Sequence, residues 1–590
     1  MGIGEFPLAT CMSWFSPWIV GAFLSYVKSI VLILIGIWIS FVDRGDAADV
    51  EAFRFDFSQA VPLGGRANPY SLPPIAFANA QRQGLRHALA DPETNHGLAM
   101  PYQTLDNALR MAESAPWARS LLLLSDGNKF GTSWDELYKR LGLFSYPEHE
   151  ASGAYFIPFP VGGRPSLPIG VAIGRNALGA EVYTQSCASC HCRNLFGTPV
   201  LGAANLQPRS QEFLNFGHSI AHIPAFIVEH AAGGKNEEFL TFRAAQRKLA
   251  FHAAKDPVAL GLDTPHASVA LSLMKRGTDP YALTHDEYRL APRKTPLATW
   301  PSDVKIANWW TIRYKNKFFV DGSVSGNPVL TNFLWIKLVQ GADLEELEDW
   351  VLENDEVIRD LTAAVFGAEP PRWSDFFPVH AGQVEMAKAG EQHYRALCAR
   401  CHGTYSKAWS LPNADELSPA DQFQTVGVQY FPDTRLKNVG TDGHRAAATK
   451  MISSEINRLH FTQRFGLYLE PGATDSYVPP PLDGIWARWP YLHNNSVPSL
   501  ADLLSPEDQR PTAFYVVPAI DRTCDFDSDR VGFPTEDRVE QHWRSPERFF
   551  DTRIPGLSNK GHDKGIFIVN GVNVMNDRKR RELIAFLKSL

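Results

Sequence analysis

A chain of 590 residues, 44% hydrophobic and 21% charged, has the composition of a globular protein and the length of two or more domains. Its net charge of −7, without a basic stripe interleaved with aromatic residues, argues against nucleic acid as a partner. Its 7 cysteines are too few for a disulfide scaffold at this length.

Residues 14–42 form an apolar stretch near the N-terminus that is interrupted by Lys28. Lys28, the apolar or small residues 29–42 and the following DRGDAAD have the order of a secretory signal. The stretch is also long enough for an uncleaved membrane anchor. We therefore expect residues 1–47 to be a signal peptide or a membrane anchor, and the mature protein to be periplasmic or secreted.

Two segments repeat one pattern, GAEVYTQSCASCH from Gly179 and GEQHYRALCARCH from Gly390. The glycine, the tyrosine and the CxxCH triplet stand in the same register, so that Tyr183 matches Tyr394. We expect each segment to form a short helix that runs into its CxxCH. Because the copies lie far apart in the chain, each is predicted to belong to its own domain.

Three chemistries use a CxxC pair, and they can be separated. Zinc ribbons bring two pairs together over about 15 to 20 residues, far less than the distance from Cys190 to Cys398. A redox dithiol does not require histidine at the next position. In c-type haem attachment both thiols bond the porphyrin and the adjacent histidine ligates the iron, in agreement with export. We therefore predict two covalently attached haem c groups. Their residues are Cys187, Cys190 and His191 for the first, and Cys398, Cys401 and His402 for the second.

The pattern between and around the repeats predicts a mainly α fold: two cytochrome c-like haem domains with long loop-rich insertions and an N-terminal extension. Apolar residues from Leu344 to Val365 recur at helical spacing, and GAEPPRW at 367–373 ends them. Helices are also expected at 133–143 and over the last residues. The predicted extension is 48–165, the first haem domain with its insertion is 166–372, and the second haem domain is 373–590.

The sixth iron ligand decides what each haem does. Iron bound on both faces transfers electrons, whereas iron with an open face binds oxygen or peroxide. Two histidines have a suitable context: His562 in the glycine-flanked loop SNKGHDKG, and His493 in WPYLHNNSVPSLADLL. Periodicity does not choose between them.

Several longer motifs from about residue 125 to the C-terminus carry a family resemblance. They resemble the large dihaem c-type cytochromes related to bacterial dihaem cytochrome c peroxidases, and within these the dihaem rubber oxygenases and fatty-acid dioxygenases. The motifs are CASCHCRNLFGTPVLGAANLQPRSQEF, NWWTIRYKNKFF, PLDGIWARWPYLHNNSVPSLADLL, FYV with the later DRVGF, and SNKGHDKG.

The resemblance implies roles for several residues. His562 would be the distal ligand of the second haem, while the first haem would keep an open or oxygen-bound face crowded by aromatic residues. His493 belongs to the PYLHN loop and is a candidate supporting residue near a haem. The candidate aromatic residues of the catalytic pocket are Trp309, Trp310, Phe318 and Phe319. Lys317 and the extra Cys192 depart from the family pattern. Cys524 is the candidate disulfide partner of Cys192 in an oxidising compartment, and a free Cys192 is the alternative.

The resulting hypothesis is a dihaem oxidoreductase that uses dioxygen to oxygenate an apolar small-molecule or polymer substrate, with Trp310 a candidate electron relay between the haems. One alternative is a peroxidase that reduces hydrogen peroxide with electrons from a small redox donor protein. Another is a non-catalytic electron carrier in which both irons are six-coordinate.

Overall fold

The computed structural model describes residues 55–90, 100–116, 129–150, 153–160, 162–263, 266–276, 297, 300–472 and 475–590. The predicted signal or anchor at 1–47 lies outside the described residues. Among the helices of the described ranges, none has both the length and the apolar character needed to cross a membrane.

The described part is mainly α-helical, as predicted, and long loops join its short helices. Up to residue 276 the helices are α1 (Pro74–Ala90), α2 (Tyr102–Ser114), α3 (Trp134–Arg140), α4 (Cys187–His191), α5 (Ser210–Ile220), α6 (Ala225–Ala231), α7 (Glu237–Lys248) and α8 (His266–Lys275). After residue 300 they are α9 (Pro328–Val339), α10 (Leu344–Glu353), α11 (Asp355–Gly367), α12 (Ala381–Leu397), α13 (Ala399–His402), α14 (Pro419–Gln422), α15 (His444–Asn457), α16 (His460–Arg464), α17 (Leu500–Leu503) and α18 (Asp577–Lys588).

The strands are short and pair in antiparallel fashion. One three-stranded sheet has the order β1-β3-β2, and the other pairs are β4–β5, β6–β9, β7–β8, β10–β11 and β12–β13. Their bounds are β1 Met100–Pro101, β2 Val171–Arg175, β3 Glu181–Gln185, β4 Cys192–Leu195, β5 Thr198–Leu201, β6 Val324–Ser325, β7 Thr404–Lys407, β8 Thr425–Gln429, β9 Tyr468–Leu469, β10 Ala513–Tyr515, β11 Phe549–Asp551, β12 Ile568–Val569 and β13 Val572–Asn573.

Two helices predicted from sequence are confirmed, and capping explains where they begin. The side chain of Ser133 accepts a hydrogen bond from the Glu136 amide at the start of α3. The side chain of Asn576 does the same for Lys579 at the start of α18. The helical pattern from Leu344 ends at Gly367 as expected, but it is divided into α10 and α11 at Asn354, whose backbone leaves the helical region (φ −124, ψ 38).

The prediction that both repeat segments form helices is wrong for the first copy. Its residues before the CxxCH form β3, which pairs with both β1 and β2. Val182, Tyr183 and Thr184 are β-branched or aromatic and favour a strand, whereas the second copy has the helix formers of α12. A shared sequence register therefore does not give a shared local structure.

Two helix pairs cross at a glycine: α12 with α18, and α1 with α11. A Cβ atom on Gly390 of α12 would lie 1.9 Å from the Glu582 carbonyl oxygen of α18. A Cβ on Gly84 of α1 would lie 1.9 Å from the Asp360 carbonyl oxygen of α11. Only glycine permits such close backbone approach. Helix α1 also packs against α4, which carries the first CxxCH, just as α12 packs against α13, which carries the end of the second CxxCH. The two helices α1 and α12 therefore have corresponding positions beside the two motifs.

Two large hydrophobic clusters form most of the core. One joins Leu195 and Trp310 to the C-terminal residues Tyr394, Trp486 and Phe586. The other packs residues on both sides of the linker at 367–373, among them Phe57, Trp309, Phe318, Trp335 and Phe461. Residues 51–590 form one compact unit, and the domain boundaries at 166 and 373 stay predictions.

Candidate functional site

The second CxxCH motif presents an oriented histidine. His402 is the last residue of α13, and its Nδ1 atom lies 2.7 Å from the Pro480 carbonyl oxygen. A carbonyl only accepts, so Nδ1 carries the proton and donates. This hydrogen bond fixes the ring orientation and leaves Nε2 as the metal-binding nitrogen.

His562 faces His402 across a gap of the size that a metal ion would fill. The two ring centroids are 6.3 Å apart and the rings are inclined by 54°. Two metal–nitrogen bonds of about 2 Å, with about 1 Å from each nitrogen to its ring centre, require roughly 6 Å. The Nδ1 atom of His562 is buried and makes no hydrogen bond in the described structure. His493 instead stacks on Tyr477, with ring centroids 3.9 Å apart.

The loop that carries His562 is held against a neighbouring loop by its backbone. The His562 amide donates to the Val439 carbonyl at 2.7 Å, and His562 itself adopts a positive φ of 59°. Gly561 has a φ of 79°, and a Cβ there would lie 2.4 Å from the carbonyl carbon of Gly440. The glycine before His562 is therefore required by close backbone packing.

Arg510 ties the same loop to the rest of the protein. Its guanidinium donates to the carbonyls of Asn559 at 2.6 Å and Gly561 at 2.7 Å, and the Glu507 carboxylate accepts from the Gly561 amide at 2.9 Å. Arg510 is only 4% exposed. Arg510 is thus a positioning residue for His562, and sequence reasoning did not find it.

Replacing Arg510 with methionine is expected to loosen this loop. Loss of a buried, hydrogen-bonded arginine lowers the free energy of unfolding by about 3 kcal/mol, and His562 should be held less firmly. Denaturant titration and the low-spin fraction of the haem spectrum measure the two effects. Arg395→Met, which breaks an exposed pair with Glu391, is the control and should change neither. A wild-type spectrum and stability for Arg510→Met would contradict the positioning role.

The first CxxCH motif has the same kind of histidine support. Nδ1 of His191 lies 3.0 Å from the Ala307 carbonyl oxygen, so Nε2 is again left for a metal. The Trp309 ring, two residues beyond Ala307, lies 5.5 Å from the His191 ring. Cys190 Sγ is 3.7 Å from the hydroxyl of Ser210. Among the ring contacts of the described residues, His191 has no second imidazole opposite it as His402 has.

The three histidine rings line internal space. Each is half-buried, yet burial lowers the pKa of His191 and of His402 to about 4 and the pKa of His562 to about 3. All three rings are therefore neutral at pH 7, which is the form that ligates metals. Together with the oriented Nδ1 atoms, the gap between His402 and His562 and the adjacent thiols, these residues fit a covalently attached haem c.

The structure brings Trp309, Phe318 and Phe319 into or against one core cluster and places Trp310 in the other. Trp309 and Trp310 are buried, and the Trp310 indole donates to the Asp483 carbonyl at 2.9 Å. Phe318 is buried in the core, where its ring is 6.3 Å from that of Phe366. Phe319 is half-buried at a positive φ of 61°, and its ring is 5.2 Å from that of Trp335. Their catalytic roles stay predictions.

A cavity of about 900 Å³ also reaches the first motif, between α1, the loop at 367–374 and the C-terminus. Trp309 and Leu201 form part of its wall. Trp309 thus contacts both this cavity and the His191 ring.

The expected disulfide between Cys192 and Cys524 is not formed. Cys192 is fully buried, in a cluster with Leu89, Tyr146 and Ile157. Cys524 lies in a turn beside Thr523, whose hydroxyl is 3.6 Å from its sulfur. The prediction was wrong because Cys192 is a small apolar core residue.

Comparison with known proteins gives one family match and two partial relatives. Residues 476–515 match the family model described as RoxA-like, cytochrome c-like; this segment contains Pro480 and His493. The uncharacterized protein y4iJ of Sinorhizobium fredii (strain NBRC 101917 / NGR234) is 29% identical over 274 residues, which are 38% of this chain and 42% of y4iJ. The uncharacterized protein y4iM of the same strain is 33% identical over 204 residues, 31% of this chain and 43% of y4iM. The chain thus spans about two fifths of the length of these relatives. Over residues 476–515 the protein is similar to RoxA-like cytochromes c, which supports a haem c oxidoreductase.

Proposed function

We propose that this protein is an exported dihaem c-type cytochrome that oxygenates an apolar unsaturated substrate, a fatty acid or polyisoprene. The reacting haem is held by Cys187, Cys190 and His191. The second haem, held by Cys398, Cys401, His402 and His562, transfers or stores electrons. A haem with an open face supplies dioxygen activation when it is bound.

The difference between the two histidines carries this proposal. His402 faces a second imidazole at 6.3 Å, the arrangement of a closed electron-transfer centre. Among the ring contacts of the described residues, His191 has no second imidazole opposite it. This difference supports chemistry at the first site and electron transfer at the second.

A continuous set of bonded groups connects the two sites. Trp309 contacts the His191 ring, and its chain neighbour Trp310 donates to the Asp483 carbonyl. Asp483 is three residues beyond Pro480, whose carbonyl holds His402. Trp310 is fully buried, so water does not interrupt this path. These contacts support Trp310 as the electron relay.

A buried cluster near the first motif supplies candidate substrate-side residues. Phe319 packs on Trp335, and the His266 ring lies 5.7 Å from that of Trp335. The cluster adjoins the motif through Asp263, which accepts from the Ser210 amide at 2.8 Å, and through the Ser210 hydroxyl beside Cys190. We propose that Phe319 and Trp335 exclude water and receive the apolar chain.

The proposal is tested by assaying the purified holoprotein with and without air. Oxygen consumption with oleate or polyisoprene is expected under air, and it should stop under nitrogen. Peroxide-dependent oxidation of reduced cytochrome c, without substrate-dependent oxygen uptake, would instead establish a peroxidase. If neither rate is found and electron paramagnetic resonance shows two low-spin haems, the protein is an electron carrier.

One observation favours the peroxidase as the second candidate. Arg445 is 1% exposed, and its Nε and one Nη make no hydrogen bond in the described structure. Its guanidinium lies 5.6 Å from the Phe319 ring centroid and 4.0 Å from Asp321. Asp303 accepts from the His266 amide in the same cluster. A buried cation beside a carboxylate can hold and move the protons of a peroxide.

For this second candidate, peroxide reduction is expected to rise with pH through about 7. Burial raises the pKa of Asp303 to about 7. The negative charge of Asp263 also raises this pKa, whereas the positive charge of Arg445 lowers it. Asp303 is therefore protonated below that pH and becomes a proton acceptor above it. Asp303→Asn should reduce the rate by about a hundredfold and abolish the step in the pH profile. Asp256→Asn removes an exposed carboxylate and should leave the profile intact; an unchanged profile in Asp303→Asn would exclude this role.

A further inference from the structure

Three cationic side chains gather in the interior around residues 487–490: Arg193, Lys305 and Arg488. Arg193 is 4% exposed and Arg488 is 8% exposed. Lys305 is half-buried by surface area, yet burial lowers its pKa, and its ammonium contacts backbone carbonyls of the same segment.

The cluster is built into the segments that orient both histidines. Lys305 is two residues before Ala307, whose carbonyl holds His191, and its ammonium donates to the Arg488 carbonyl at 3.1 Å and the Pro490 carbonyl at 2.7 Å. Arg488 in turn donates to the Pro481 carbonyl at 2.7 Å, next to the carbonyl that holds His402. The Arg488 guanidinium therefore lies near the second site.

Arg193 extends the cluster toward the first motif. It follows the first CxxCH by two positions, in β4, and donates to the carbonyls of Ala487 at 3.2 Å and Trp489 at 3.0 Å. Its guanidinium carbon lies 3.9 Å from the centre of the Trp489 ring. Arg193 and Lys305 lie close together, because they donate to the carbonyls of the neighbouring residues Trp489 and Pro490. The charge of Arg193 accordingly lowers the pKa of Lys305.

These cations lack matching anions within the part of the chain that the structure describes. The three side chains contact backbone carbonyls and one aromatic ring, and none of them forms an ion pair within 4.0 Å with a carboxylate of the described residues. Asp483 is the carboxylate whose charge acts on Arg488. One Nη of Arg193 and Nε of Arg488 are buried without a hydrogen bond. Buried cations are stable only when an anion compensates them, so this space requires bound negative charge.

We propose that Arg193, Lys305 and Arg488 bind the propionate carboxylates of the two haems. The assignment rests on the proposed dihaem function. Each haem carries two propionates, and the guanidinium fork of each arginine matches a carboxylate bidentately. The cluster lies beside the carbonyls that hold His191 and His402, and one shared charged site therefore serves both haems.

The proposal has a consequence for the redox properties. A propionate without its cation leaves negative charge near the iron, and this charge stabilises the oxidised, more positive iron. Removing a cation should therefore shift a reduction potential to a more negative value. Because Lys305 is bonded to the Arg488 backbone, the two haem sites share this network, and a change at Arg488 is expected to affect both potentials.

The test measures both midpoint potentials of the purified holoprotein by spectroelectrochemical titration. Lys305→Met and Arg488→Gln are expected to keep two covalent haems and to shift at least one potential to a more negative value. Lys317→Met is the matched control, since Lys317 is a lysine of the same stretch of chain but pairs with Glu470 at 2.6 Å in a partly exposed position. It should leave both potentials unchanged. Wild-type potentials in both Lys305→Met and Arg488→Gln would overturn the proposal.

Charge-retaining variants make the test independent of folding. Lys305→Arg keeps the cation and should keep the wild-type potentials, and the pair Lys305→Met and Lys305→Arg decides the question if Arg488→Gln does not fold. An equal negative shift in Lys305→Arg and Lys305→Met would also overturn the proposal, because charge would not be its cause. Failure of the proposed function is distinguishable: it appears in the oxygen and peroxide assays of the wild-type protein, whereas the potentials report on the propionates.

Discussion

Replacing His562 with alanine is expected to convert one of the two proposed haems from low spin to high spin while both stay covalently attached. The His562 ring faces His402 at 6.3 Å, so its removal opens the sixth coordination position of the second haem. The first haem, held by His191, should keep its spectrum. Electron paramagnetic resonance and the visible spectrum should therefore change for half of the haem, and the pyridine haemochrome should be unchanged.

His493→Ala is the matched control for this experiment. His493 is also a half-buried imidazole, and burial lowers its pKa to about 3, but it stacks on Tyr477. Its removal should leave the low-spin signal intact. A wild-type spectrum in His562→Ala would remove His562 as a ligand, and loss of the low-spin signal in His493→Ala would transfer that role to His493.

The double variant Cys187→Ser, Cys190→Ser is expected to halve the covalent haem content. In the proposed first haem both thiols would form thioether bonds with the porphyrin, and a serine hydroxyl does not form them. The second motif is separate in the chain, so its haem should remain. Mass spectrometry of the denatured protein should then show one haem per chain instead of two.

Cys192→Ser is the control for the thiols of the first motif. Cys192 adjoins His191 in the chain but is buried in a separate apolar cluster, and it should not affect haem attachment. Two haems per chain are expected in this variant. Two haems in the double variant, or one haem in Cys192→Ser, would contradict the assignment of the attachment residues.

Some elements were predictable because the signal for them is local. The helix at Trp134–Arg140 and the closing helix Asp577–Lys588 have capping side chains and apolar faces within a few residues. The end of the helical pattern at Gly367 is likewise followed by two prolines. The prediction of a helix at Glu181–Gln185 was wrong because its β-branched and aromatic residues favour a strand, although its sequence register matches that of the second repeat.

The sequence by itself determined the chemistry predicted at each CxxCH, because two thiols followed by a histidine are the local pattern that c-type haem attachment requires. Only the tertiary structure decided how that chemistry is oriented. The carbonyl that holds His191 is 116 residues away at Ala307, and the carbonyl that holds His402 is 78 residues away at Pro480. Backbone carbonyls occur at every residue and leave no pattern in the sequence. The same holds for the gap between His402 and His562 and for the three buried cations, since distance and burial arise only when distant segments pack together.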